Sequence, residues 1–259
     1  MLLMDNSNIT KTSMENWQKA QEWEKNHWVT QRKIGSRYGK DIIWKILSLT
    51  GLMPKYRGDD ANYWWASQFD NYNFLPDATD NAIELGCGPY TNIRLMIEKC
   101  PPRHLFLSDP LIKTYINFKQ SFVGKLYHQG FCIIDDHPIE ECPFIQNYFD
   151  LVVLINVLDH VQEADICIDN AINITKPGGI LIVGQELSNK NDIEKYNEKY
   201  SAQGGDIGHP IRIGHDWLDR FLNDKFENII KKIISREKGR DPEVHYGTYI
   251  FAGKKLRIP

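Results

Sequence analysis

Residues 81–92 read N-A-I-E-L-G-C-G-P-Y-T-N. Ala82, Ile83 and Leu85 have the character of the end of a short buried strand, and Gly86, Cys87 and Gly88 that of a tight turn. Thr91 or Asn92 then caps a helix expected through Ile93, Leu95, Met96 and Ile97 toward Cys100. Strand, glycine turn and helix start make a nucleotide-binding corner. Glycine lets the backbone turn sharply and approach a ligand, and a helix N-terminus offers free N–H groups. The corner is not the dinucleotide fingerprint G-x-G-x-x-G, because Thr91 stands at the third glycine position. Nor is it a P-loop, which needs G-K-[ST] after its glycines. An ordinary strand-to-helix turn with a chance glycine pair is the plain alternative.

Downstream of this corner strand and helix signals alternate. His104–Ser108 reads as a second strand ending at Asp109-Pro110, which lies 23 residues after Gly86. An acid there is placed to accept hydrogen bonds from ribose hydroxyls. A helix is expected around Leu111–Phe122 and a third strand at Phe131–Ile134, ending at Asp135-Asp136. Residues 149–161, F-D-L-V-V-L-I-N-V-L-D-H-V, hold a continuous apolar run, as a central parallel strand buried on both faces requires. Val161–Thr175 reads as an amphipathic helix, stopped by Lys176-Pro177-Gly178-Gly179 before a strand at Ile180–Gly184. Gln185–Ile213 is polar and glycine-bearing, the pattern of a functional loop or a short lid helix, and holds Tyr196, Tyr200, Gly204-Gly205 and His209. A helix at Asp216–Phe226 and strands at Ile229–Ile234 and Gly247–Gly253 close the chain.

Upstream, residues 1 to about 12 read as polar and frayed. A helix is expected from Ser13, carrying Trp17, Ala20, Trp23 and Trp28, and a second one over Ile42–Leu49, ended by Gly51 and Pro54. A further aromatic group runs from Tyr56 to Phe74, and six of the seven tryptophans precede residue 66. Residues 1–78 thus form a helical, aromatic-rich extension or lid, and residues 79–259 the main domain. The aromatics serve either to anchor the extension or to stack on a ligand.

With 42% hydrophobic and 25% charged residues, the composition is that of a soluble globular chain. A net charge of -3 gives no electrostatic case for nucleic acid. The five cysteines are scattered, with no C-x-x-C pair and no histidine at zinc spacing, which favours reduced thiols in a cytoplasm and argues against a metal site. The apolar Met1–Met4 run is too short for a signal-peptide core, and Leu151–Leu158 is too short to span a bilayer.

The order E-L-G-C-G, S-D-P, D-D-H-P, F-D-L-V-V and K-P-G-G over residues 83–184 resembles the class I S-adenosylmethionine-dependent methyltransferases. Tyr90 departs from that family's pattern, which has a third glycine there. The resemblance implies an α/β fold: a Rossmann-like, doubly wound seven-stranded sheet with an antiparallel last strand, here with an N-terminal helical extension. It implies S-adenosyl-L-methionine as cofactor and S-adenosyl-L-homocysteine as product. Glu84, Gly86, Cys87 and Gly88 are then expected at the amino-acid end of the cofactor, Asp109 with Pro110 at the ribose, and Asp135 or Asp136 at the adenine amine. Asn156 and Val157 are expected beside the methionine arm.

Methyl transfer from a sulfonium is an in-line displacement, and an alcohol acceptor must also lose a proton. His160 and His209, with Asp159 to orient a histidine or take the proton, are the expected catalytic residues, and no metal is expected. His215 is a further histidine beside the acceptor loop. The N-V-L-D-H-V form resembles bacterial enzymes acting on small molecules or on sugars of surface glycans. The expected activity is therefore O-methylation of a small molecule or saccharide. Rival readings are a nucleic-acid or protein methyltransferase, a nicotinamide-dependent oxidoreductase, and a non-catalytic scaffold of the same fold.

Overall fold

The computed structural model describes residues 8–37, 60–118, 121–199 and 207–257. The expected helix over Ile42–Leu49, together with Tyr56, Tyr200 and Gly204-Gly205, lies outside the described residues. The described strands are β1 (Thr79–Leu85), β2 (Pro102–Ser108), β3 (Ile133–Asp135), β4 (Phe149–Ile155), β5 (Thr175–Leu187), β6 (Phe226–Ser235) and β7 (Gly247–Lys255). They form one seven-stranded sheet in the order β3-β2-β1-β4-β5-β7-β6. Strands β1 to β5 pair in parallel, and β7 runs antiparallel to both β5 and β6. This is the expected doubly wound sheet with its antiparallel closing strand.

Alternation along the central strands builds two apolar layers. Ile83, Leu85, Val152, Leu154, Leu181 and Val183 face one side and pack against helices α5 (Ala164–Ile174) and α7 (His215–Leu222). Ala82, Leu105, Leu107, Leu151, Val153 and Ile182 face the other, where they meet Trp65, Phe69 and Tyr72. Trp65 belongs to helix α2 (Asp60–Gln68), so this part of the aromatic-rich region is built into the core of the sheet. Its ring takes the space that a side chain at Gly184 would need, since a Cβ there would stand 2.8 Å from the indole.

Four stretches depart from expectation, each for a local reason. The helix after the glycine turn is reduced to a 3-10 turn, Ile93–Leu95, followed by further turns to Cys100. Thr91 sits at φ 39°, and the Glu84 carboxylate, not Thr91 or Asn92, accepts from the amides that start the turn. The helix expected over Leu111–Phe122 is broken into α3 (Ile112–Tyr115) and α4 (Phe122–His128). Ser121 turns extended and caps α4 through Gly124 N–H, while its hydroxyl donates to the Pro89 carbonyl at 3.0 Å. Lys176-Pro177-Gly178-Gly179 does not precede β5 but lies within it, as an irregularity in the β4 pairing with Gly178 at φ 84°. Finally, residues 8–12 are not frayed. Ile9 exchanges two backbone hydrogen bonds of 2.8 Å with Arg212, and Thr10 O accepts from Ala164 N–H.

Ser13 starts helix α1 (Met14–Arg37), its hydroxyl accepting from Asn16 N–H at 3.2 Å. Helix α6 (Lys190–Lys199) occupies part of the polar segment after β5, where a functional loop or a short lid helix is expected. No described helix is long and apolar enough to cross a membrane.

Candidate active site

Open parallel sheets bind ligands at the carboxyl ends of their strands, where the strand order reverses. Here that point lies between β1 and β4, and a cavity of about 560 Å³ opens over it. A groove at the opposite strand ends, beside the Lys176–Asp150 ion pair, lies away from this switch point.

The floor is the glycine turn after β1. Gly86 and Gly88 hold φ of 65° and 53°, a region that favours glycine. A Cβ on Gly86 would stand 2.4 Å from Val157, whereas one on Gly88 meets nothing within 4 Å. The two positions are thus needed for different reasons, one for packing and one for leaving the cavity open. Gly86 N–H and Cys87 N–H both donate to Ser108 O, locking the turn onto the end of β2. Cys87 contributes backbone rather than a reactive thiolate, because burial pushes its thiol up.

Asp109, just beyond β2, forms one wall. Its Oδ2 accepts from Gly88 N–H at 3.0 Å and its Oδ1 from Leu111 N–H at 2.8 Å. Burial, with a contribution from the nearby Glu24 carboxylate, pushes its pKa up to about 7 despite those two bonds. Pro110 lines the cavity beside it. Asn156, at the end of β4, holds φ 56° and donates its N–H to Gly184 O at 2.7 Å. Its side-chain oxygen is buried without a partner. A left-handed asparagine with an unsatisfied amide oxygen at a cavity wall is the kind of strain found at binding sites.

Beyond Asn156 the chain turns through Val157 and Leu158 to Asp159 and His160. His160 Nε2 stands 3.9 Å from Asp159 Oδ1, and its ring centroid lies 4.5 Å from that of His209. Asp159 is buried, which raises its pKa, but His160 and His209, with smaller contributions from Gln185 and His245, more than offset this and hold it at about 2. His215 stands apart at the start of α7, bonded to Tyr246 and paired with Asp216.

Four expected site residues are not in the cavity wall: Asp159, buried behind His160 and His209, and Glu84, Asp135 and Asp136. Glu84 is wholly buried beneath the turn, where its carboxylate accepts from Thr91 Oγ, from Asn92 through its backbone and side chain, and from Ile93 N–H. Asp135 accepts from Ser108 Oγ at 2.9 Å and pairs with His137, and Asp136 pairs with Lys113. Pro138, Ile139 and Glu140 line the cavity on that side instead.

Several residues in the wall had no motif to announce them. Glu24 lies among Trp17, Gln21 and Trp28 on the cavity-facing stripe of α1. The spacing 17, 21, 24, 28 is helical, and two polar side chains inside an aromatic stripe were the available signal. Glu24 accepts from Tyr115 OH at 3.2 Å and lies 3.8 Å from His160 Nδ1. Tyr90, at the position of the family's third glycine, lines the cavity with its ring edge-on to Trp28 at 5.5 Å. Glu186 and His245 meet at the far side, 3.6 Å apart, and His245 also contacts Ser188 Oγ at 2.9 Å.

A glycine turn, a buried acid after β2 and a strained asparagine after β4, all at the switch point of this sheet, define a methyltransferase-type domain. Residues 83–183 match the model of a family described as a methyltransferase domain. Among solved structures, the N-methyltransferase NodS from Bradyrhizobium japonicum WM9, in complex with S-adenosyl-L-homocysteine, is 13% identical with a TM-score of 0.50, covering 80% of this chain and 91% of NodS. The YcgJ protein from Bacillus subtilis is 9% identical with a TM-score of 0.54, covering 76% of this chain and 99% of its own. The cyclase SpnF is 15% identical with a TM-score of 0.52, covering 76% and 80%. At such identities these likenesses speak for the fold alone. No curated protein sequence matches the chain. Residues 83–183 thus carry a methyltransferase domain, on a fold shared with methyltransferases that take their methyl group from S-adenosylmethionine.

Proposed function

We propose that this methyltransferase methylates a hydroxyl oxygen of a small molecule or saccharide. One observation carries the reading: a single cavity has a glycine turn and a buried carboxylate at one pole, and His160 and His209 at the other, with the buried Asp159 within 4.8 Å of both.

The residues present fit the cofactor. Gly86–Gly88 leaves a cradle without side-chain atoms, and Asn156 offers a buried oxygen that lacks a donor. In this reading the turn holds the amino-acid end and Asp109 accepts from the ribose diol. Asn156 with Val157 flanks the methionine arm. Glu84 acts indirectly, by fixing the turn from beneath. Asp135 and Asp136 face their own partners, so adenine recognition falls to the Pro138–Glu140 side of the wall, with Asp135 or Asp136 at its edge. The bound sulfonium supplies an activated methyl, so the protein's task is alignment, exclusion of water and help with the departing proton.

The aromatic side chains of α1 and Tyr90 cover the cavity, and flat or ring-shaped acceptors suit such walls. Asp159, His160 and His209 lie where an acceptor hydroxyl must lose its proton. The polar rim of Glu186, Arg240 and His245 gives a polyhydroxylated acceptor further partners. We place the enzyme in the cytoplasm, in keeping with its free cysteines.

Calorimetric titration with S-adenosylmethionine and S-adenosylhomocysteine tests the cofactor pole, on wild type and on Asp109→Ala. Binding to wild type that weakens at least tenfold in the variant is expected. A folded wild type that binds neither ligand would leave a non-catalytic scaffold as the better reading. Screening phenols, sugars and amines for S-adenosylhomocysteine release tests the acceptor. Turnover of amines alone would replace oxygen by nitrogen as the methylated atom.

A further inference from the structure

The polar pole of the cavity has an arrangement that the sequence spacing concealed. Asp159 and His160 follow β4, while His209 arrives from the segment before α7. That segment is held in place by Ile211 N–H donating to the Asp159 carbonyl at 3.3 Å, and by the Arg212 guanidinium donating to the His209 carbonyl. Trp23 also packs against it, its ring filling the space where a Cβ on Gly208 would sit. One ligand atom from each of Asp159, His160 and His209 lies within 4.8 Å of the other two. Asp159 is 4% exposed, and its Oδ1 is buried without a hydrogen-bond partner. The nearest imidazole nitrogen of His160, 3.9 Å away, is too far to donate to it. A buried carboxylate oxygen that nothing satisfies, facing two imidazoles, calls for a cation.

We infer that Asp159, His160 and His209 form a binding site for one divalent first-row transition-metal cation. Two imidazoles and a carboxylate with open positions suit manganese, iron, cobalt or zinc better than magnesium or calcium, which prefer an all-oxygen shell. Ligand atoms about 2.1 Å from a metal lie roughly 3 to 3.5 Å apart, so closure asks for side-chain adjustments on the order of an ångström. Glu24 Oε2 stands 3.8 Å from Nδ1, on the opposite edge of His160. That is too long for a hydrogen bond, so this carboxylate acts on the ring by charge alone and leaves Nε2, the nitrogen nearer Asp159, to ligate. The open positions face the cavity, where an acceptor hydroxyl would be the incoming ligand. A bound cation lowers the pKa of such a hydroxyl, and the proton then leaves to water, with the histidine lone pairs committed to the cation. The use made of the cation rests on the methyl-transfer reading; its binding does not.

The test uses untagged full-length protein dialysed against EDTA. Co²⁺ is titrated by visible absorption and Mn²⁺ by calorimetry, and S-adenosylhomocysteine is titrated in parallel on the same sample. One Co²⁺ per chain is expected, with affinity falling at least tenfold in both His209→Ala and Asp159→Asn and changing less than twofold in Asp109→Asn. Circular dichroism checks that each variant is folded, and His160→Gln replaces any that is not. Wild type that binds S-adenosylhomocysteine but takes up no Co²⁺ or Mn²⁺ overturns the inference, as does uptake that survives these substitutions. Uptake lost in the variants, in a protein that fails to bind S-adenosylhomocysteine, upholds the cation site and removes the methyl-transfer reading instead.

Discussion

Asp109 is ionised at neutral pH only in part, because burial and the Glu24 carboxylate push its pKa up to about 7. The raised value means that the folded chain holds a proton between roughly pH 4 and pH 7 that the unfolded chain has lost. This contribution to stability is full below the ordinary carboxylate range and disappears as pH rises through about 7. For a ribose diol the sign reverses, since the diol donates to a carboxylate and not to an acid. S-adenosylhomocysteine should therefore bind about tenfold more weakly at pH 6 than at pH 8, and binding near pH 6.5 should release a proton. Asp109→Asn should flatten this dependence, which separates Asp109 from the neighbouring Glu24, Glu84, Cys87 and Tyr115. Calorimetry in buffers of different ionisation enthalpy measures both effects. The glycines give a second prediction at this scale. Gly86→Ala forces a Cβ against Val157 at φ 65° and should cost about 2 to 4 kcal/mol in urea unfolding. Gly88→Ala meets no atom and should cost about 1 kcal/mol, but its Cβ enters the proposed cradle and should weaken S-adenosylhomocysteine at least tenfold.

Among the elements, the strands were legible and several helices were not. An apolar run such as Leu151–Ile155 admits a single reading once turns bound it, because a strand buried on both faces needs no alternation. The K-P-G-G stretch misled because glycine and proline punctuate a bulge within β5 as readily as a loop before it. The turn after Gly88 and the break at Ser121 depended on partners distant in sequence. Glu84 reaches forward to Asn92 and Ile93, and Ser121 reaches back to Pro89. Periodicity within a segment carries no trace of such bonds. His160 and His209 were both expected at the catalytic pole, but the direct contact of their rings, from segments distant in sequence, left no trace in the spacing of either. Glu84 yields the prediction for this scale. Its carboxylate accepts from four donors, an amide cannot satisfy them all, and Glu84→Gln should destabilise by about 2 kcal/mol. Because those donors shape the turn, the variant should also lose affinity for S-adenosylhomocysteine without touching it. Urea unfolding and calorimetry on one preparation check the pair of effects.

Over the molecule as a whole, the N-terminal segment completes the cavity that the central sheet begins. Helix α1 is held by Ile9 and Thr10, whose backbones bond to Arg212 and Ala164, and it lays Trp17, Gln21, Glu24 and Trp28 over the glycine turn. The uneven placing of the tryptophans, plain in the sequence, thus has a spatial meaning. Trp17, Trp23, Trp28 and Trp65 line the cavity, whereas Trp217 packs with α5 and β4 residues on the other face of the sheet. Their common wall could not be read from helical spacing, since Trp65 belongs to α2 and the other three to α1. With four of the seven tryptophans in its wall, intrinsic fluorescence reports on the cavity. S-adenosylhomocysteine should quench the tryptophan emission in a saturable titration, with a Kd matching calorimetry. Trp28→Phe, next to Tyr90, should remove a large part of that amplitude, while Trp217→Phe should lower the total emission and leave the ligand-induced change intact. If Trp217→Phe abolished the change and Trp28→Phe preserved it, the ligand would sit on the other face of the sheet, and the cavity over the switch point would not be the binding site.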